Sequence, residues 1–349
     1  MLLLDFSNEV LLSIADQIQQ LGDIYALACT CRRWHSILDA YLYRHDAQLP
    51  LSRALCWAAR HGQESTARKA LSRGASVQTS SEFNNAELTP ISLALDHGHD
   101  QIVRLLLATI EDLDLEYRDG TGNTPLIHAV FRGREEMVQL LLQHGANINA
   151  RSSRNTTPLS VATHQGHESI VRMLLAHVQA HAQARQAQGE EAGTNLNLNL
   201  DLNRRDYWGQ TPLFHAAKYN HLAIVRLLLS TDGVDPNARD NVDSTPLMAA
   251  TAMGHTDIVQ ALLEKDRIDV NAMNQFHCTA LMEAARRGDG DLMDLLIRGG
   301  ADPNIPNASG ELPAQVFERT REQFTASASS PIPIRRFRGG NNQQDRLSD

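Results

Sequence analysis

The sequence predicts an all-α protein whose larger part is a solenoid of stacked helix pairs, and three observations support this fold class. A Thr-Pro step, or Thr-Ala in the last copy, recurs at spacings of 35, 33, 54, 34 and 34 residues. A short apolar helix follows each step, and a second apolar cluster follows that helix. Because so short a helix pair cannot bury its apolar face alone, its neighbours must bury it. The steps are Thr89-Pro90, Thr124-Pro125, Thr157-Pro158, Thr211-Pro212, Thr245-Pro246 and Thr279-Ala280.

The ends of the first helix follow from local signals. Thr before Pro predicts a helix start, because the Thr hydroxyl can cap free amides and Pro at the first helical position gives up no needed donor. A residue that tolerates the left-handed conformation then predicts the helix end. These residues are Gly133, Gly166, Gly254, Gly288 and, in the repeat that begins at Thr211, Asn220.

The stretch Asp119–Ala150 shows the whole unit, with T-P-L at the start of the first helix, Gly133 after it and Gly145 after the second. A period near 33 residues with T-P-L in register resembles the ankyrin family. The resemblance implies repeats of one β-turn finger and two helices. One departure concerns the family's His after T-P-L, whose loss predicts fewer polar ties between repeats and more apolar packing. Its place is taken by Ile127, Ser160, Phe214, Met248 and Met282.

The first 46 residues do not fit the repeat. Two helical stripes of apolar residues are predicted there, one from Val10 to Leu21 and one from Ile24 to Leu38. With the closing Tyr41-Leu42-Tyr43, this string resembles an F-box of the kind found in filamentous fungi. The resemblance implies docking on the Skp-type adaptor of a cullin–RING (SCF-type) ubiquitin ligase. Its apolar positions are Phe6, Val10, Leu11, Ile14, Leu27, Cys31 and Trp34.

One departure affects this interpretation, since the family usually has Leu-Pro where this chain has Phe6-Ser7. The alternative is a plain three-helix cap on the first repeat. The predicted organisation is therefore an F-box-like domain at 1–47, an ankyrin-repeat domain at 51–321 and a disordered tail at 322–349. The repeat domain comprises about seven repeats, the first of them degenerate (Leu51–Val77), and a worn C-terminal cap.

An insertion near 178–203 accounts for the spacing of 54 residues. Its Ala-, Gln- and Arg-rich start predicts that the second helix continues to about Gln188. The alternating Asn and Leu residues at 195–203 formally suggest a strand, but inside an insertion a loop is the better prediction.

Composition narrows the possible partners. The net charge is −9, which disfavours nucleic acid as the main partner. The four cysteines are scattered without a C-x-x-C pair, as expected in a reducing compartment. No apolar run is long enough to span a membrane. We expect a cytoplasmic or nuclear protein, monomeric outside its complex, with no membrane partner.

Motifs for catalysis are absent: the sequence has no phosphate-binding loop, zinc helix of the H-E-x-x-H type or nucleophile elbow. His177 and His181 have the spacing of two metal ligands on one helix face, but no third ligand is placed by the sequence. His99, His167, His221 and His255 follow the helix-one terminators, which is a structural position in the family. We therefore predict no enzyme activity, no cofactor and no metal.

The resemblance implies that a target binds at the finger tips and the exposed ends of the first helices, which form the concave face. Only 5% of the chain is aromatic, yet five rings fall at these positions. Aromatic and Arg side chains dominate binding hot spots. The predicted target-binding residues are Phe131, Arg132, Tyr207, Trp208, Gln210, Lys218, Tyr219, Phe276, Arg286 and Arg287, with Arg154, His164 and Gln165 at variable positions beside them.

Trp208 is predicted to be the centre of this surface. The alternative is that its ring folds back on Leu202 or on the insertion. The sequence thus predicts a non-catalytic adaptor, with the F-box bound to the ligase and the repeats bound to an unnamed target. Two alternatives are an ankyrin scaffold without a ligase link and an enzyme or metal protein that uses the His-bearing insertion.

Overall fold

The computed structural model describes residues 53–78, 88–110, 112–177 and 200–329. Within these ranges the chain forms seven pairs of helices, and a single helix, α15, follows the last pair. The helices are α1 Arg53–His61, α2 Glu64–Ser72, α3 Pro90–His97, α4 Asp100–Thr109, α5 Pro125–Phe131, α6 Glu135–Gln143, α7 Pro158–Gln165, α8 168–177, α9 Pro212–Lys218, α10 Leu222–Leu229, α11 Pro246–Met253, α12 Thr256–Leu263, α13 Ala280–Arg287, α14 Gly290–Arg298 and α15 Pro313–Ser329.

The predicted helix starts are confirmed, with one exception in the hydrogen bonds. At five of the six Thr steps, the Thr hydroxyl accepts from the amide three residues on. Thr124 has the same extended backbone before Pro125, but its side chain makes no cap hydrogen bond and its hydroxyl is buried without a partner. The cap hydrogen bond predicted for Thr124 is therefore wrong, and nothing in the structure explains why it is missing.

The helices form two rows. Each first helix packs against the first helices of the neighbouring repeats, and second helices pack against second helices. The core is one continuous cluster of buried side chains that runs along both rows. Leu106, Met137 and Leu141 on the second helices are fully buried. Apolar side chains of one repeat are therefore buried against the next repeat, as the sequence predicts.

A polar side chain at the start of the second helix ties each of several repeats to the one before it. The Nε2 atoms of His99, His221 and His255 lie 3.0, 3.2 and 3.0 Å from backbone carbonyl oxygens of the preceding first helix. The His221 ring also lies over Gly166, where a Cβ atom would come within 2.5 Å of its Cε1 atom. Gly166 has a φ of 79°, so both space and backbone require glycine there.

The fingers form a ladder of backbone hydrogen bonds. The amide of Tyr207 donates to the Arg154 carbonyl over 3.0 Å, and the amide of Asn241 donates to the Trp208 carbonyl over 3.0 Å. Each finger is thus held in register with the fingers on both sides, and side chains on successive finger tips face one surface.

The two ends of the described chain differ from the inner repeats. The degenerate first repeat is present as α1 and α2, which contribute Leu55 to the core. At the other end, α15 packs on α13 and continues from the predicted domain end at Arg321 to Ser329, because residues such as Arg, Glu, Gln and Ala favour helix. The predicted disorder of the tail therefore does not apply to 322–329.

Several predictions concern residues outside the described ranges. The F-box-like segment, most of the insertion and the tail beyond Ser329 fall there. The helix predicted to reach Gln188 is described only to residue 177, and the end of the predicted loop, at 200–203, has no helix or strand.

Leu141→Ala tests the stacked core. The change removes a fully buried side chain, so the free energy of unfolding should fall by about 2–5 kcal/mol. Hydrogen exchange should rise most in the repeats next to α6 and least in α1 and α2, because each repeat is stabilised by its contacts with the neighbouring repeats. Leu140→Ala, one residue away and only half-buried, is the matched control and should cost less. A uniform rise in exchange over all repeats would contradict the prediction.

Candidate protein-binding groove

The central groove is a cavity of about 480 Å³ between three fingers and three first helices. The fingers lie at 119–123, 152–156 and 206–210, and the helices are α5, α7 and α9. Phe131 and Trp208 contribute apolar walls, while Ser152, Ser153 and Gln165 contribute hydrogen-bonding groups. A cavity with apolar walls and a few polar groups is typical of a binding site.

Trp208 lies at a finger tip and is 48% exposed. Its ring meets Tyr207 edge to face at 5.8 Å between centroids, and the Arg154 guanidinium lies 5.9 Å from its ring. These contacts are with finger residues, whereas Leu202, on which the alternative has Trp208 folding back, packs against the hydrophobic core. Tyr207 is 70% exposed, so the pair presents aromatic surface without a covering partner within the described part of the chain.

The Asp206 carboxylate fixes this finger. Its Oδ1 atom accepts from the amides of Trp208 and Gln210, both over 2.9 Å, and its Oδ2 atom accepts from His215 Nε2 over 3.0 Å. Because the finger backbone is held at both ends of the turn, the Trp208 ring projects from a rigid support. Burial raises the cost of the Asp206 charge, but these hydrogen bonds, first among them the one from His215, keep its pKa below the ordinary value.

Three rings form a cluster beside this finger, and two of them, His164 and His215, line the groove. His164 meets Tyr219 at 4.3 Å and His215 at 5.5 Å between centroids, both edge to face. Burial, together with nearby His215, His221 and Lys218, lowers the pKa of His164. The His164 ring is therefore neutral at physiological pH. Lys218 Nζ lies 5.5 Å from the Tyr219 ring on the outer side of this cluster.

The repeat on the other side of the groove has a charged cluster in place of these rings. His128 Nε2 donates to Asp119 over 2.7 Å, and His128 Nδ1 donates to Asp96 over 3.0 Å. Arg132 Nε also donates to Asp96, over 3.1 Å. Burial disfavours the imidazolium, but the two carboxylates outweigh it and raise the pKa of His128 to about 9. Burial likewise acts against the Asp96 charge, yet His128 and Arg132 lower its pKa to about 2.

The two clusters occupy equivalent positions. Asp96 and His164 each lie on the last turn of a first helix, in line with Thr89 and Thr157, and Arg132 and Tyr219 match in the following repeat. At His128 both ring nitrogens have carboxylate partners. At His215 the Asp96 position holds His164, and His215 Nδ1 is buried without a hydrogen-bond partner in the described residues.

The absence of the family's His after T-P-L predicts that a polar contact between repeats is missing and that apolar packing replaces it. Ile127, Phe214, Met248 and Met282 are buried, so the predicted apolar packing is confirmed. The predicted loss of the tie is wrong at His128, because the next residue along the helix reaches both its own finger and the preceding repeat. The sequence signal for this arrangement is Asp nine residues before His, which occurs at 119/128 and again at 206/215.

The predicted target-binding residues separate into two places. Phe131 and Trp208 line the central groove, and Tyr219 packs on the lining residue His164. Arg132 and Lys218 adjoin Phe131 and Tyr219 in sequence, and Gln210 lies in the finger turn. Phe276 and Arg286 line a second cavity of about 600 Å³ near α15. Arg287 donates to the Ala252 carbonyl over 2.7 Å and so serves stacking. Sequence reasoning missed Asp206 and His215. The predicted adaptor-binding residues Phe6, Val10, Leu11, Ile14, Leu27 and Trp34 lie outside the described residues.

The described residues contain no group of three His, Cys, Asp or Glu side chains that could hold a metal ion. His177 lies at the end of the described part of α8, and His181 lies beyond it. Among the described helices none is both long and apolar enough to cross a membrane.

Comparison with protein families agrees with the repeats and with the N-terminal segment. The family model for ankyrin repeats matches residues 55–152, 110–186, 151–240 and 233–307. The model described as F-box-like matches residues 8–48. Both sequence resemblances are therefore confirmed, and both families are protein-interaction modules.

Similar individual proteins were found for parts of the chain. The B-cell lymphoma 3 protein homolog of Mus musculus is 38% identical over 102 residues, 28% of this chain and 22% of that protein. Delta-latroinsectotoxin-Lt1a of Latrodectus tredecimguttatus is 31% identical over 84 residues, 24% of this chain and 7% of the toxin. The chain thus spans less than a quarter of these relatives. The crystal structure of the Bcl-3 ankyrin repeat domain is 27% identical with a TM-score of 0.54, and the match covers 67% of this chain and 98% of that domain.

His128→Gln tests the buried ion pairs. The folded pKa of His128 is about 9 against an ordinary value of 6.5, so its stabilisation is complete below pH 6.5 and is lost as the pH rises through 9. The difference in free energy of unfolding between wild type and variant should therefore shrink from pH 6.5 to pH 9.5, measured by urea denaturation.

The exposed His144 provides the control, because its ring contacts only the Leu140 carbonyl on its own helix. His144→Gln should leave the free energy of unfolding close to wild type at both pH values. A wild-type advantage over His128→Gln that stays constant from pH 6.5 to 9.5 would show that the imidazolium does not contribute.

Proposed function

The chain belongs to the ankyrin-repeat family, and from this premise we propose that it is a substrate-recognition adaptor of a cullin–RING ubiquitin ligase. The F-box-like segment would dock on the Skp-type adaptor, and the repeats would hold the target. The observation that supports this most is the order of modules, with an F-box-like match at 8–48 directly before repeats that carry an open aromatic groove. Transfer of ubiquitin itself would belong to other subunits.

The adaptor side of the proposal uses one apolar stripe. Val10, Leu11 and Ile14 recur at helical spacing, and Leu27 and Trp34 do so on the following predicted helix. Together with Phe6, these side chains would supply the contact with the Skp-type adaptor.

The target side uses the central groove and its rim. Phe131, Trp208 and Tyr219 are 49%, 48% and 40% exposed, an unusual amount of aromatic surface for a chain with so few aromatic residues. Rigid aromatic side chains lose little conformational entropy on binding and contribute large contact areas. Phe276, Arg286 and the second cavity extend this surface toward α15.

A scaffold without a ligase link is the second candidate, favoured by one observation. Phe6-Ser7 replaces the Leu-Pro that is usual in F-box proteins, so the rigid entry turn is missing. Binding of the Skp-type adaptor separates the two functions.

Leu11→Asp combined with Ile14→Asp tests the adaptor side. Two carboxylates in an apolar interface should abolish co-purification with the Skp-type adaptor, because burying unpaired charges is costly. The control is Gln19→Asp combined with Gln20→Asp, which adds the same charges on the side of the predicted helix away from the stripe and should keep the complex. Circular dichroism should show folded repeats in both. Persistent binding by the first variant, or none by wild type, would favour the scaffold.

Trp208→Ala tests the target side. Because the ring is half exposed, its loss should change the melting temperature little, while capture of targets identified by pull-down and mass spectrometry should fall roughly tenfold or more. Ile297→Ala, at a side chain 43% exposed on α14 and outside the groove, should keep full capture. A marked drop in melting temperature with capture intact would make Trp208 a structural residue.

A further inference from the structure

We propose that the central groove binds an acidic segment of a protein target, with one carboxylate of that segment taking at His215 the place that Asp96 takes at His128. This inference rests on the proposed target-binding role of the repeats and adds the chemistry of the target. Three features of the described residues support it: the missing internal carboxylate, the charges around the groove and its apolar walls.

The first feature is the replacement of a carboxylate. Asp96, His128 and Arg132 form a fully paired cluster across one repeat interface. Two repeat interfaces further along the chain, the equivalent residues are His164, His215 and Tyr219. Two of the three charged groups are therefore exchanged for rings, while the central His and its finger carboxylate, Asp206, are retained.

The consequence is an unpaired nitrogen beside the groove. His215 is only 4% exposed, its Nε2 atom is bonded to Asp206, and its Nδ1 atom has no hydrogen-bond partner within the described chain. An unpaired buried polar atom costs free energy, which a ligand that pairs with it recovers. The exposed His164 ring occupies the Asp96 position and packs edge to face on His215, and the proposed carboxylate enters there when the His164 ring turns aside. The ring takes up one proton from water as the carboxylate binds, so that both His215 nitrogens donate, as both His128 nitrogens do.

The second feature is the charge around the groove. The carboxylates of Asp119 and Asp206 have no exposed surface and accept hydrogen bonds from the fingers and from His side chains. Arg154 lines the groove and forms no ion pair with another described residue. Asp206 is the only other Asp, Glu, Lys or Arg that lines it, and its carboxylate is fully buried, so the exposed charge of the groove is positive in a chain of net charge −9, which favours an acidic ligand.

The third feature decides between an acidic protein segment and nucleic acid. Phe131 and Trp208 contribute apolar walls, which would receive an aromatic or aliphatic side chain next to the acidic residue. Nucleic acid binding requires cations spaced along a phosphate backbone. Here one unpaired cation, Arg154, and one His nitrogen border a cavity of about 480 Å³, a size suited to a few side chains. An acidic peptide with an apolar residue fits these groups better.

The experiment begins with selection of randomised dodecapeptides on phage against the full-length chain. Selected peptides should be enriched in Asp and Glu next to an aromatic or aliphatic residue. A synthetic peptide of the enriched sequence should then bind in a fluorescence anisotropy assay, and a twelve-nucleotide oligouridylate should not displace it. Absence of acidic enrichment, or displacement by the RNA, would overturn the proposal.

A pair of variants at one position tests the geometry. His164→Asp restores an internal carboxylate at the Asp96 position, so affinity for the acidic peptide should fall roughly tenfold or more. Its melting temperature should also rise above that of His164→Asn, the neutral control of similar size, which should keep most of the affinity. Equal affinities of the two variants would overturn the proposal.

The same preparations separate this proposal from the proposed ligase role. Both His164 variants should still co-purify with the Skp-type adaptor, since the F-box-like segment is unchanged. Failure of wild type to bind that adaptor, with acidic peptide binding intact, would contradict the ligase role alone. Failure of acidic peptide binding, with the adaptor bound, would contradict the groove chemistry alone.

Discussion

Packing of one helix pair against the next is the interaction on which the rest of the structure depends. No pair has enough apolar surface to form its own core, and the buried side chains form one cluster along the described repeats. The polar ties from His99, His221 and His255 set the register of this stack, and the backbone ladder of the fingers extends it. The central groove, with walls from three repeats, exists only because this register is kept.

Equivalent positions of the repeat form a fully paired charged cluster at one repeat interface and leave a nitrogen atom unpaired at another. Asp96, His128 and Arg132 pair internally, which places an imidazolium with a pKa of about 9 inside the stack. His164 and Tyr219 leave the corresponding His215 with an unpaired nitrogen beside an aromatic groove. A solenoid can give up one polar tie at such a place because the neighbouring interfaces still hold the repeat. Full polar pairing and the proposed binding surface are therefore centred on different repeat interfaces, as expected when function is placed on a regular scaffold.

The sequence predicted the repeated features well, because each has a local cause. Thr before Pro placed the helix starts, and Gly or Asn at a left-handed position placed the helix ends, including Asn220 with a φ of 65°. The rings at the finger tips were also found, since their position in the repeat implies exposure. The roles of His128 and His215 were missed, because a period does not tell which side chain spans two repeats. The continuation of α15 beyond Arg321 likewise follows from helix propensity instead of the repeat pattern, whereas nothing in the structure accounts for the missing cap at Thr124.

We propose that the chain has two separate binding regions, an N-terminal segment that binds a ligase adaptor and a groove that binds a target. Hydrogen exchange with each partner present tests this claim most directly, since it reports on both regions in one experiment. With the Skp-type adaptor added, new protection should appear within residues 8–48 and leave the fingers at 119–123, 152–156 and 206–210 unchanged. With an acidic peptide added, protection should appear in those fingers and in α7 and α9 only. Protection of the fingers by the Skp-type adaptor, or of residues 8–48 by the peptide, would contradict the account.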